Sequence, residues 1–179
     1  MLKYFFVVLG CHLGFALFES AILSNIMFLP VVPDFLLLCS LYVSFAHGRC
    51  MGVISGFSSG VIIDFLSGCP FGLNSLLRTL IGYISGFFPK TFNIKTLLLP
   101  VLIAFCGTFS KCFLISFISF FYPNIVNSYN LFSKLFFSEL FFNCIFAPVM
   151  FKFMSIFDSV YSDMGSSAVW AIYSMTTAL

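Results

Sequence analysis

The sequence predicts an all-α, polytopic membrane protein with six transmembrane helices. Three observations carry this. Of 179 residues, 61% are hydrophobic and 8% charged, where a soluble domain carries about 25% charged residues. Six apolar stretches of helical length follow one another. The Lys and Arg residues between them fall at alternate connections. With 28 Phe against 8 basic and 6 acidic side chains, little remains to build a water-facing surface. A net charge of +2 is too small to point to nucleic acid.

The apolar stretches lie near 3–25, 34–47, 50–66, 74–89, 97–121 and 131–157. About 20 apolar residues are needed to cross the hydrocarbon core, so the first, fifth and sixth are long enough unaided. A signal peptide would have a shorter apolar core and a small-x-small cleavage site. The stretch after Lys3 instead runs past Glu19, which predicts a first helix retained in the mature protein. The second and third stretches are short and separated only by His47-Gly48-Arg49-Cys50. A re-entrant hairpin there would leave Arg49 at mid-depth, at a cost of several kcal/mol. Six full spans is the preferred solution.

Lys3, Arg49, Lys90, Lys95 and Lys152 then share one side, and the connections near 26–33, 67–73 and 122–130 contain no Lys or Arg. By the positive-inside rule both termini face the cytoplasm. Residues 1–157 are expected to form one six-helix domain. Residues 158–179 mix Ser, Asp, Gly and Thr with Trp170 and Tyr173. They read as a cytoplasmic or interfacial tail, either disordered or lying where Trp and Tyr prefer to sit.

Cys11, Cys39, Cys50, Cys69, Cys106, Cys112 and Cys144 are odd in number and form no C-x-x-C pair. They read as small buried hydrophobes rather than a disulfide framework or metal site, with Cys69 in a loop. No H-E-x-x-H, G-x-S-x-G or P-loop occurs. His12 and His47 fall at or near opposite ends of the topology. No enzyme and no cofactor is expected.

His12, Glu19, Asp64, Arg78, Lys111, Lys134, Glu139 and Asn143 lie inside the apolar stretches. Such residues face the protein interior and pair with one another. His12 and Glu19 share a helix face by spacing, as do Glu139 and Asn143. The charges are spread over five helices, which predicts interhelical glue rather than a dense polar pathway. Asp64 closes helix three, where its charge opposes the helix dipole. Arg78 on helix four is its nearest cation in sequence. An Asp64–Arg78 pair is expected, with Asn74 or Ser75 capping helix four.

Gly52, Gly56 and Gly60 recur every fourth residue, followed by Gly82 and Gly86 on the next helix. Four-residue spacing keeps them on one helix side, drifting about 40° per step. In lipid, such a face admits close backbone approach. The approaching helix is either the protein's own or a partner's.

Pro33-Asp34-Phe35-Leu36-Leu37, the glycine stripe with Phe57, Asp64, the Ser67-Gly68-x-Pro70-x-Gly72-x-Asn74 loop and Gly82-Tyr83 together resemble the MreD family. The match in order and spacing covers about residues 33–88. Helices one, five and six agree only in hydropathy, so no role carries over to Glu19, Lys111 or Glu139.

The resemblance implies a non-enzymatic component of the bacterial cell-elongation machinery in the inner membrane. Its implied partners are an MreC-type bitopic protein, an MreB-type filament, a RodA-type glycosyltransferase and a class B penicillin-binding transpeptidase. It also implies a fold similar to the substrate-binding subunits of energy-coupling-factor transporters. That likeness supplies the alternative reading, a small-molecule transporter subunit. The glycine face of helices three and four, with Asp34 and the 67–73 loop, is the expected contact for the MreC-type helix.

Overall fold

The computed structural model describes residues 2–21, 31–68, 70–88, 98–123 and 133–176; of residues 2–4 and 158–176 it describes the backbone alone. Six helices account for nearly all of it: α1 (Leu2–Ala21), α2 (Phe35–His47), α3 (Arg49–Ser67), α4 (Leu73–Ser85), α5 (Leu98–Phe121) and α6 (Lys134–Thr176). Cys69, Lys90, Lys95 and most of the connections near 26–33 and 122–130 lie outside the described residues, as do the side chains of Trp170 and Tyr173.

Local chemistry sets the element ends. Asp34 is the N-cap of α2, its side chain accepting from Leu37 N. Gly48, at φ 83°, ends α2 and opens α3 with no further linker. Gly68 closes α3 in the left-handed region at φ 62°, a conformation that glycine adopts without Cβ strain. α4 stops at Ser85, short of the expected 89, where the Gly86 N–H bonds back to Gly82 O. α6 starts at Lys134, the Phe136 N–H donating to Ser133 Oγ, and its backbone continues past Phe157 to Thr176.

α3, α5 and the Lys134–Phe157 part of α6 are long and apolar enough to cross a membrane, whereas Phe5–Ala21 of α1 and all of α2 are shorter apolar helices. α1 is described from Leu2 to Ala21, and the rest of its expected span to residue 25 lies outside the described residues. The expectation that helix three is short is corrected. The reason is the one-residue Gly48 turn, which lets α3 begin at Arg49 and run to Ser67.

α2 organises the bundle. Its 13 residues span only about 20 Å. It is buried on every side, with Phe35 through Ser44 all inaccessible, as expected for a helix apolar all round. It packs against each of the other five helices. Leu37, Leu41 and Val43 join Ile81, Ile103 and Phe151 in one core cluster. Phe35 and Leu38 join Ala104, Ala147 and Met150 in another. The outer faces present Phe65, Phe105, Phe113, Phe120 and Phe141. Phenylalanine thus dominates the outward coat, while His12, Asp34, Asp64, Arg78, Glu139 and Asn143 turn inward.

The cysteines divide. Cys39 and Cys112 are buried, Cys11 and Cys144 half-buried, and Cys50 and Cys106 exposed. The uniformly buried reading is corrected for the last two, which sit on outward faces of α3 and α5.

Candidate functional site: an ionic network at the start of α2

The first N–H groups of a helix lack intrahelical acceptors and carry partial positive charge. At α2 these groups are buried, so carboxylates from inside the bundle must supply the acceptors. Glu19, near the end of α1, accepts from Phe35 N and from Leu36 N, the latter at 3.3 Å. Asp34 Oδ1 accepts from Leu37 N at 2.9 Å. The Asp34 N–H donates to Asn143 Oδ1 of α6 at 2.8 Å, and Asn143 Nδ2 donates to Thr108 Oγ1 of α5 at 3.0 Å.

Two cations complete the site. Arg78 Nη2 of α4 lies 2.7 Å from each Asp34 oxygen. Lys111 Nζ of α5 lies 2.8 Å from Asp34 Oδ2 and 2.7 Å from Glu139 Oε1 of α6. Asp34 therefore bridges both cations, and Lys111 bridges both carboxylates. Arg78 is 2% exposed, Asp34 7% and Lys111 19%. Arg78 Nη1 is the one buried side-chain nitrogen or oxygen among the described residues without a hydrogen-bond partner. Glu139 and Asn143 share the inner face of α6, as their spacing predicts.

The predicted Asp64–Arg78 pair is not present. Asp64, buried at 2% exposure, instead takes the start of α4. Oδ2 accepts from Gly72 N at 3.0 Å, Ser75 N at 3.1 Å and Ser75 Oγ at 2.5 Å. Oδ1 accepts from Asn74 N at 3.0 Å and from Asn74 Nδ2 at 3.1 Å. The expected capping by Asn74 or Ser75 is corrected with it. The N-cap position is Gly72, which has no side chain, and α3 supplies the cap through Asp64. The physical reason is antiparallel packing. The end of α3 meets the start of α4, whose orphan N–H groups claim the carboxylate first. Arg78 sits a turn further on and reaches α2. Asp64→Ala is expected to lower stability by about 2 kcal/mol and Ser75→Ala by about 1, measured by denaturant unfolding in mixed micelles.

The scattered distribution of charges is also corrected. Glu19, Asp34, Arg78, Lys111 and Glu139 come from five chain segments and converge at one end of α2. His12 shares the inner face of α1 with Glu19 but has other partners. Its ring nitrogens meet Ser55 Oγ at 3.4 Å and Ser58 Oγ at 3.2 Å on α3. Lys134 is exposed at the start of α6. No group of three or more His, Cys, Asp or Glu side chains among the described residues is placed to hold a metal ion.

The glycine stripe faces α4. A Cβ on Gly56 would stand 2.8 Å from the Arg78 carbonyl carbon, and one on Gly60 2.6 Å from Ser75 N. Gly52 and Gly82 face each other, and a Cβ on Gly86 would stand 2.6 Å from Arg49 Cα. The neighbour is thus the protein's own helix, packed backbone to backbone. Ser44 Oγ of α2 donates to Gly82 O at 2.5 Å, tying a third helix to the contact. The expected docking face for a partner's helix is corrected: α4 fills the stripe, and Asp34 is buried in the ionic network.

The signal that sequence reasoning missed is the Pro33-Asp34 step before a helix with no polar face except Ser40 and Ser44. A buried N-cap carboxylate must attract whatever cations the bundle holds.

No curated protein and no solved structure matches this chain. The family model described as rod shape-determining protein MreD matches it over residues 2–157, taking in α1, α5 and the network residues they carry. An all-helical chain with three helices able to cross a membrane, coated in Phe and locked inside by ion pairs, is built as an integral membrane protein. With the match spanning Glu19 to Asn143 and beyond, the chain belongs to the MreD family of rod shape-determining proteins.

Proposed function

We propose that the protein is a non-enzymatic component of the bacterial cell-elongation machinery. In this reading it spans the inner membrane six times with both termini cytoplasmic. It scaffolds an MreC-type bitopic protein and an MreB-type filament with a RodA-type glycosyltransferase and a class B penicillin-binding transpeptidase. The family match over residues 2–157 carries the reading. The ionic network supports its scaffold character, because its charges are committed to one another across four segments, with Glu19 of α1 held on the first N–H groups of α2. A buried ion pair of this kind fixes which helices meet and in what register. The short α2 is covered on every side by the other five helices.

Depletion of the protein in a rod-shaped host is expected to give round cells, with rods restored by the wild-type chain. Cells that keep their rod shape but require an added vitamin would overturn this reading in favour of a transporter subunit.

A further inference from the structure

Three sulfur-bearing side chains from three helices meet in the core behind α1. Cys39 of α2 is fully buried, and its Sγ lies 3.7 Å from Sδ of the buried Met154 on α6. Cys11 of α1 packs against the core cluster that contains both residues. Its thiol is near enough to that of Cys39 for the two to act on each other electrostatically. Cys11 is half-buried and lines a groove between α1 and α6 with Gly10, Gly14, Phe15 and Phe153. Nothing lies within 4 Å of a Cβ at Gly10 or Gly14, so the groove gives a small ion access to the Cys11 side of the group.

Thiolate and thioether sulfurs are soft ligands, and a set made of them alone suits Cu(I). Zn²⁺ closes its structural sites with four ligands drawn from Cys, His and carboxylates, and Ca²⁺ and Mg²⁺ require oxygen. Among the described residues none of those extra ligands is at hand. His12, next to Cys11 in sequence, turns to Ser55 and Ser58 of α3, and Glu19 and Asp34 hold the start of α2. Metal–sulfur bonds of about 2.3 Å put trigonal sulfurs about 4 Å apart, close to the 3.7 Å between Cys39 and Met154. We propose that Cys11, Cys39 and Met154 form a site for one Cu(I) ion. As it binds, one thiol releases its proton to solvent, so ion and ligands are neutral together and no net charge is left buried. The other thiol and the thioether bind through sulfur lone pairs, and the copper stays Cu(I) throughout. The site shares no residue with the ionic network or the glycine stripe and does not depend on the scaffold reading.

The test is anaerobic titration of the purified full chain in micelles with Cu(I), in competition with the chromophoric chelator bicinchoninate. Cys50, Cys69 and Cys106 are replaced by Ser in every sample, so that thiols outside the core do not compete. One Cu(I) per chain is expected, with X-ray absorption showing sulfur neighbours alone. Residues that merely orient a metal ligand are worth about 10–100-fold in affinity, so Cys39→Ala is expected to cost about 100-fold. Met154→Leu, which conserves volume and so keeps the core packed, is expected to cost about tenfold. Cys144→Ala, at a half-buried thiol on α6 outside the set, is expected to change nothing. No Cu(I) retained against the chelator would overturn the proposal and leave the three sulfurs as core packing. So would nitrogen or oxygen neighbours in the absorption spectrum, or an affinity unchanged in Met154→Leu.

Discussion

Asp34→Ala is expected to cost about 3–5 kcal/mol, the usual consequence of removing one partner from a buried ion pair. That is a large share of the 5–15 kcal/mol by which folded proteins are stable. Three losses coincide at this residue. Arg78, at 2% exposure, loses both of its 2.7 Å contacts. Lys111 is left with Glu139. Leu37 N, at the start of a helix with no access to water, loses its acceptor. Asp34→Asn keeps an acceptor for Leu37 N and removes only the charge, so it is expected to shift in the same direction by less. The readout is the unfolding midpoint in mixed micelles and the amount of protein in membranes. Asp34→Ala is expected to fail to restore rods in depleted cells, through loss of the bundle.

Gly56→Leu and Gly60→Leu are the second large effect. Overpacking a core with extra methylenes costs about 1–3 kcal/mol when side chains can shift. Here the obstacle is backbone, at 2.8 Å from Gly56 and 2.6 Å from Gly60, so the cost is expected to exceed that range. α3 and α4 would separate, taking with them the Asp64 cap and the Ser44–Gly82 bond. The contrast is inside the same molecule. Gly10 and Gly14 on α1 have the same four-residue spacing, but nothing lies within 4 Å of a Cβ at either. Gly10→Leu and Gly14→Leu are therefore expected to leave the unfolding midpoint unchanged or slightly raised, since Gly is the poorer helix former by about 1 kcal/mol. Equal damage from both pairs of substitutions would show that the stripe on α3 is not packed as described.

Much of the helical framework was legible because the chain punctuates it chemically. Pro33-Asp34, Gly48, Gly68 and Gly72 mark element ends with residues whose backbone or capping preferences act locally. The pairing of charges was not legible, and the reason is range. Asp64 and Arg78 are close in sequence, which invites pairing them. Yet Asp34 finds Arg78 44 residues away and Lys111 77 residues away. Which cation meets which carboxylate is decided by the arrangement of helices around α2, and periodicity within each helix says nothing of that arrangement. The glycine stripe shows the same division. Its spacing announced a close helix contact but left open whether the other helix was internal.

The Asp34–Arg78 contact is the centre of this account, and a double-mutant cycle measures it most directly. Asp34→Asn, Arg78→Met and the double variant would be unfolded beside the wild type under one set of micelle conditions. A matching cycle would use Asp64→Asn with Arg78→Met. Contacting residues in one network show coupling of about 0.5–3 kcal/mol. The structure predicts coupling toward the upper end of that range for Asp34 with Arg78, and clearly smaller coupling for Asp64 with Arg78. Strong coupling of Asp64 with Arg78, and none of Asp34 with Arg78, would contradict it.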